Sequence, residues 1–257
     1  MLDLELEGKV ALITGGSDGL GYAAAARLAA EGARVVICAR RADRLEAAAA
    51  ELRAASGREV RAVVADVARA EDCRRLVEET VRAFGGLDIL VNNAGTSAAK
   101  GLLEVDDEAW QADIELKLMA AVRLCRAAIP LMRERGGGAI VNATIVGGKA
   151  PAARALPTSV TRAAGINLTK SLANEFAAEQ IRVNTICIGL IESAQWQRRA
   201  ADRPLAELYA EMGRRVPLGR MGKAEEYADL VAFLVSARAA FITGTAVNLD
   251  GGMGATV

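Results

Sequence analysis

Apolar residues follow two alternating rhythms along the chain. Short, nearly continuous apolar runs stand at 10–14, 34–38, 60–65, 88–91, 139–143, 182–188 and 246–249. Between them lie longer, often Ala-rich stretches with apolar positions three and four apart, at 19–31, 43–55, 71–84, 106–135, 158–178 and 224–236. The short runs bounded by turn residues read as buried strands, and the three-and-four spacing reads as helix. Gly32, Ser56-Gly57 and Gly85-Gly86 close the first three helical stretches, as glycine does where a helix ends in a left-handed residue.

Strands alternating with helices of this length predict an α/β fold. The expected form is one doubly wound parallel sheet, Rossmann-type, of about seven strands with helices on both faces. Ligands of such sheets sit at the carboxyl ends of the strands. The loops after Ile13, Cys38, Ala65, Val91, Ala143 and Ile188 are therefore where a site is expected. No composition break interrupts the pattern, so 1–257 reads as a single domain, with the long irregular stretch 189–222 as a substrate lid.

Composition narrows the function. A chain of 257 residues, 52% hydrophobic and 25% charged, reads as an ordinary globular protein with a sizeable core. Lys+Arg and Asp+Glu are both 32, so no net field favours nucleic acid or an anionic membrane, and a small-molecule substrate is expected. The chain has no histidine, which excludes Ser–His–Asp chemistry and a Cys/His zinc site. Cys38, Cys73, Cys125 and Cys187 are widely spaced with no C-x-x-C pair. They read as buried thiols of a cytoplasmic protein, and no metal is expected. Residues 1–8 lack the basic and apolar regions of a signal peptide, and no run of about 18 apolar residues occurs to span a membrane.

Thr14-Gly15-Gly16-Ser17-Asp18-Gly19-Leu20-Gly21 joins the first strand to the first helix. Glycines there permit positive φ and close approach of a pyrophosphate, which the helix N-terminus then attracts. Gly15, Ser17, Gly19, Leu20 and Gly21 are the expected cofactor contacts. The spacing is G-x-x-x-G-x-G. With Asp66-Val67, Asn92-Asn93-Ala94-Gly95, Arg182-Val183-Asn184, Ile242-Thr243-Gly244 and Asp250-Gly251-Gly252, the whole chain resembles the short-chain dehydrogenase/reductase family. That resemblance implies Asp66 and Val67 against the adenine, and Asn93, Ala94 and Gly95 along the ribose and nicotinamide. It also implies Ile191 touching the carboxamide through its backbone, and a homotetramer or homodimer. The second strand ends Cys38-Ala39-Arg40-Arg41. Arg40, then Arg41, suits a ribose 2′-phosphate, so NADP(H) is expected over NAD(H), with Asp18 arguing weakly the other way.

The family's usual site comprises an Asn, a Ser and a Tyr-x-x-x-Lys pair. Counted from local landmarks, those positions hold Lys117, Ile145, Thr158 and Arg162, with Thr144 beside Ile145. A threonine hydroxyl is far less acidic than a phenol, and an arginine stays charged and relays no proton. Arg162 is expected on the cofactor ribose. The site candidates are thus Thr144, Thr158, Arg162 and Lys117, with Glu192, Gln195 and Trp196 on the lid. The leading reading is a redox enzyme acting on a ketone or alcohol through a non-standard proton donor: Lys117, Glu192, a hydroxyl or water. The alternatives are a non-redox enzyme on the same fold (hydration, elimination or hydrolysis) and a catalytically inactive cofactor-binding subunit.

Overall fold

The computed structural model describes residues 3–193, 196, 200 and 203–256. Its seven strands are β1 (Val10–Thr14), β2 (Arg34–Ala39), β3 (Val60–Val64), β4 (Ile89–Asn92), β5 (Gly138–Ile145), β6 (Ile181–Ile188) and β7 (Ala246–Leu249). They form one sheet in the order β3-β2-β1-β4-β5-β6-β7, parallel throughout. From β1 the chain winds outward through β2 and β3, then returns to add β4 on the other side. The crevice of a doubly wound sheet opens where that order reverses, beyond Thr14 and Asn92.

The helices are α1 (Gly19–Ala30), α2 (Ala42–Ser56), α3 (Ala70–Phe84), α4 (Asp107–Ile114), α5 (Ala120–Glu134), α6 (Thr158–Phe176), α7 (Leu205–Gly213) and α8 (Ala224–Val235). Strand residues alternate between two cores, as the two-residue period of a strand requires. Ala11 and Ile13 pack with α1, α2 and α8. Val10 and Leu12 pack with α3, α5 and α6. The four cysteines are buried and free, as their spacing suggested, and burial pushes the Cys38 and Cys125 thiols up to about 12. Asp88, at the foot of β4, accepts from the Val10 N–H at 2.8 Å and from two nitrogens of Arg135, which locks the start of β1 to the end of α5.

Two stretches differ from the sequence pattern. Residues 106–135 read as one helix, yet a wide π-helical turn at Glu115–Met119 separates α4 from α5. An inserted residue of this kind leaves the apolar spacing almost unchanged, and such turns concentrate at functional sites. Within 189–222, α7 and a small apolar cluster of Ala200, Leu208, Met212 and Met221 give this segment its own packing. Its two ends are fastened together: the Glu192 N–H donates to Gly222 O and the Gly222 N–H to Leu190 O, each at 2.9 Å.

Candidate active site

The glycine turn is built by two constraints. Gly15 has φ +68°, in the left-handed region. A Cβ on Gly21 would fall inside the Gly15 carbonyl and the Asn93 side chain, so only glycine lets α1 start this close to β1. The turn is clipped to the segment after β4. Thr14 Oγ1 accepts from the N–H groups of Asn93 and Ala94, both at 3.0 Å, while the Asn93 amide donates to Thr14 O at 2.9 Å. The Asn93 side-chain amide thus helps to hold the turn. Ser17, Gly19 and Leu20 sit at the turn as read, Leu20 packing on the core beneath it.

Beside that turn runs a narrow cleft lined by Thr14, Asn92, Ala94, Lys117, Thr161 and Arg162, among others. Arg162, on α6, donates to Ala143 O at 2.8 Å, and its guanidinium lies over Gly95, where a Cβ would meet it. Desolvation pulls its pKa down to about 10, opposed by the negative charge of Asp113. Its Nε is buried with no protein partner, which points to a polar group supplied from outside the chain. A glycine cradle closed to any Cβ and a buried, underused guanidinium on one cleft fit a bound dinucleotide.

The chemistry-bearing cluster lies across the cleft. Lys117 projects from the π-helical turn; its side chain is 0% exposed and that of Asp113 is 3% exposed, and the two form an ion pair. Lys117 Nζ also donates to Thr158 Oγ1 at 2.8 Å. A second donor, the Ala98 N–H, reaches the same oxygen at 3.0 Å. Thr161 Oγ1 donates to the other oxygen of Asp113 at 2.7 Å. Desolvation holds the Lys117 pKa below the usual lysine value of 10.5; Arg162 lowers it further, while Asp113 raises it. A hydroxyl has one proton and two lone pairs. With both lone pairs of Thr158 taken by N–H donors, its own proton is left to donate.

The remaining candidates separate clearly. Thr144 Oγ1 is engaged with Thr185 Oγ1 at 3.0 Å, Cys187 Sγ at 3.2 Å and Ile186 O at 3.3 Å. Thr144 also lines the cleft, and its hydroxyl fastens β5 to β6. Asp66 accepts from the Ala68 N–H at 3.1 Å and so caps its own turn, and Val67 is buried. Ile191 is buried and paired with Gly222. Arg40 and Arg41 are exposed at the end of β2. Trp196 packs against the apolar cluster of Leu208 and Met212, Glu192 is half-buried where the 189–222 segment is fastened, and Gln195 lies outside the described residues. Among the described residues no group of acidic or cysteine side chains is placed to hold a metal, and no helix is long and apolar enough to cross a membrane.

Sequence reading missed Asp113 and Thr161. The signal was present: Asp113 and Lys117 are four apart, the spacing that pairs charges on one helix face. Tyr227, on α8, is buried and feels the charge of Arg162, and burial raises its pKa.

Residues 15–254 match the family model described as Enoyl-(Acyl carrier protein) reductase. The rabbit (Oryctolagus cuniculus) Dehydrogenase/reductase SDR family member 4 is 37% identical over 252 residues, covering 96% of this chain and 94% of that protein. The chain belongs to the short-chain dehydrogenase/reductase family. Among solved members of the family, the L-sorbose reductase of Gluconobacter frateurii, complexed with NADPH and L-sorbose, superposes with a TM-score of 0.95 at 40% identity, each chain covered completely (100%). An NADPH-bound short-chain oxidoreductase from Pseudomonas aeruginosa PAO1, described as containing an atypical catalytic center, superposes with a TM-score of 0.92 at 39% identity, covering 97% of this chain and 98% of that one.

Proposed function

We propose that this short-chain dehydrogenase/reductase is an NADP(H)-dependent oxidoreductase of a small ketone or alcohol in which Lys117, acting through Thr158, is the proton donor. The observation that carries this reading is the bond from Lys117 Nζ to a Thr158 hydroxyl whose other lone pair is also occupied. The NADPH-bound relatives support the choice of dinucleotide, as do two arginines at the end of β2 that form no ion pair among the described residues.

When bound, the dinucleotide supplies or accepts the hydride. The chain supplies everything else. In the reducing direction the Thr158 O–H proton passes to the substrate oxygen as a Lys117 Nζ–H proton passes to Thr158 Oγ1. The O–H bond of Thr158 is remade as it breaks, Lys117 is left neutral, and solvent recharges it. Threonine alone is too weak an acid for this step. A lysine with a lowered pKa is not, because a general acid works best when its pKa lies near the working pH. Asp113 holds the ammonium in place, and Thr161 fixes the second carboxylate oxygen. Glu192 is the weaker candidate donor, since its backbone ties the lid to Gly222 and its charge acts on Tyr209 and Arg220.

Three results test the reading. Purified protein mixed with NADPH should enhance or shift the nicotinamide fluorescence, and a panel of ketones should then consume it; absence of binding refutes the reading. Arg162→Ala should weaken NADPH affinity by about tenfold, roughly the value of one or two lost hydrogen bonds from a charged group, read by fluorescence titration; unchanged affinity would remove Arg162 from the cofactor site. The rate of ketone reduction should be flat at lower pH and fall through the Lys117 pKa, at some pH below 10.5. Folding stability should respond oppositely. Because the folded-state pKa of Lys117 is lowered, the unfolded chain binds more protons between the two pKa values, so this group's contribution to stability rises with pH across that window.

A further inference from the structure

We infer that Arg44 decides whether this chain tolerates a ribose 2′-phosphate, by holding the Asp18 carboxylate in an ion pair at the mouth of the dinucleotide cleft. The inference rests on the cofactor reading above and deepens it. Asp18 is the only acidic residue in the glycine turn 14–21. Its Oδ1 accepts from the Gly19 N–H at 2.9 Å, capping α1, and lies 3.2 Å from a guanidinium nitrogen of Arg44. The pair bridges a groove between α1 and α2 whose lining includes Ser17, Asp18, Tyr22 and Arg44. Left unpaired, that carboxylate would repel a phosphomonoester bound between the turn and the end of β2.

Arg44 stands on the first turn of α2, three residues after Arg41, the extended residue that precedes the helix. Arg40 and Arg41 have no ion pair among the described residues, whereas Arg44 is committed to Asp18. The start of α2 therefore presents two guanidinium groups free for a phosphate, and a third that cancels the turn's own negative charge. The Arg44 and Asp18 side chains are 52% and 34% exposed, and ion pairs so exposed contribute little to folding. The pair's consequence is for the charge that the cleft accepts.

Fluorescence titration of NADPH and NADH into the wild type, Arg44→Ala and Asp18→Asn/Arg44→Ala tests this, with thermal unfolding confirming that each variant folds. Asparagine caps a helix as well as aspartate does, so the double variant removes the charge and keeps the cap. The expected result is that Arg44→Ala weakens NADPH binding by about tenfold and NADH binding by less than about twofold, as an uncompensated charge near the phosphate implies. The double variant should return NADPH affinity to within about threefold of wild type. Equal weakening of both cofactors by Arg44→Ala, no weakening of either, or a double variant that stays as weak as the single one would overturn the inference while leaving the functional reading intact. A wild type that binds neither cofactor refutes the functional reading itself.

Discussion

Replacing Lys117 with methionine lowers kcat for ketone reduction by about two to four orders of magnitude, the usual contribution of a positioned general acid, while NADPH still binds. Lys117 is fully buried, and among the described residues its hydrogen-bond partners are Asp113 and Thr158. The site offers no phenol and no imidazole, and a threonine cannot protonate an alkoxide-like oxygen repeatedly unless its proton is replaced. The same substitution leaves Asp113 buried and uncompensated, which costs about 3–5 kcal/mol and threatens folding. Asp113→Asn/Lys117→Met removes both charges and keeps a folded protein for assay. Its kcat should be as low as that of the single variant, its thermal midpoint should recover most of the loss, and its NADPH affinity should match wild type. A double variant that folds, binds and turns over at the wild-type rate would remove Lys117 from the chemistry.

Gly21→Ala has the second large effect, on binding rather than on the proton step. The added Cβ meets the Gly15 carbonyl and the Asn93 side chain, and neither yields cheaply. The first is backbone inside the turn. The second is the amide that clips the turn to the segment after β4. Relief requires moving the start of α1 away from β1, which opens the cradle and misaligns the N–H groups of the helix terminus. Forcing one methyl into a filled site typically costs about 1–3 kcal/mol, enough to lower the thermal midpoint by several degrees. NADPH affinity should fall by at least about a hundredfold, since several N–H contacts to a charged ligand are lost together. Titration and thermal unfolding separate the two effects. Near-normal affinity in a destabilised variant would show that the cradle is not where the pyrophosphate sits.

The sheet was legible because its signals are local and periodic. Ala11 and Ile13 alternate with Val10 and Leu12 between the two cores, and each strand's run and each helix's closing glycine can be read within a few residues. The glycine turn was legible for the same reason. The site was legible only in part. Landmark counting named both Lys117 and Thr158, but the bond between them joins residues 41 apart, and nothing local announces it. Asp113 was passed over because an acid four residues before a lysine normally marks an exposed helix face; here the pair is buried beside a π-helical turn that apolar spacing does not register. Thr144 is a similar case. Its neighbour Ile145 stands at the family's Ser position, and the Thr144 hydroxyl's bonds to Thr185 and Cys187 on the next strand join residues more than 40 apart, which nothing local announces.

The pH dependence of single-turnover hydride transfer, followed as NADPH absorbance after mixing the preformed binary complex with a reducible ketone, tests the central claim most directly when wild type and Thr158→Val are compared. The wild-type rate should fall through one ionisation at a pH below the ordinary lysine value of 10.5. In Thr158→Val, which keeps Lys117 but removes the hydroxyl between it and the substrate, the rate should be about a hundredfold lower and that ionisation should disappear. A Thr158→Val variant that transfers hydride at the wild-type rate with the same pH profile would contradict the account.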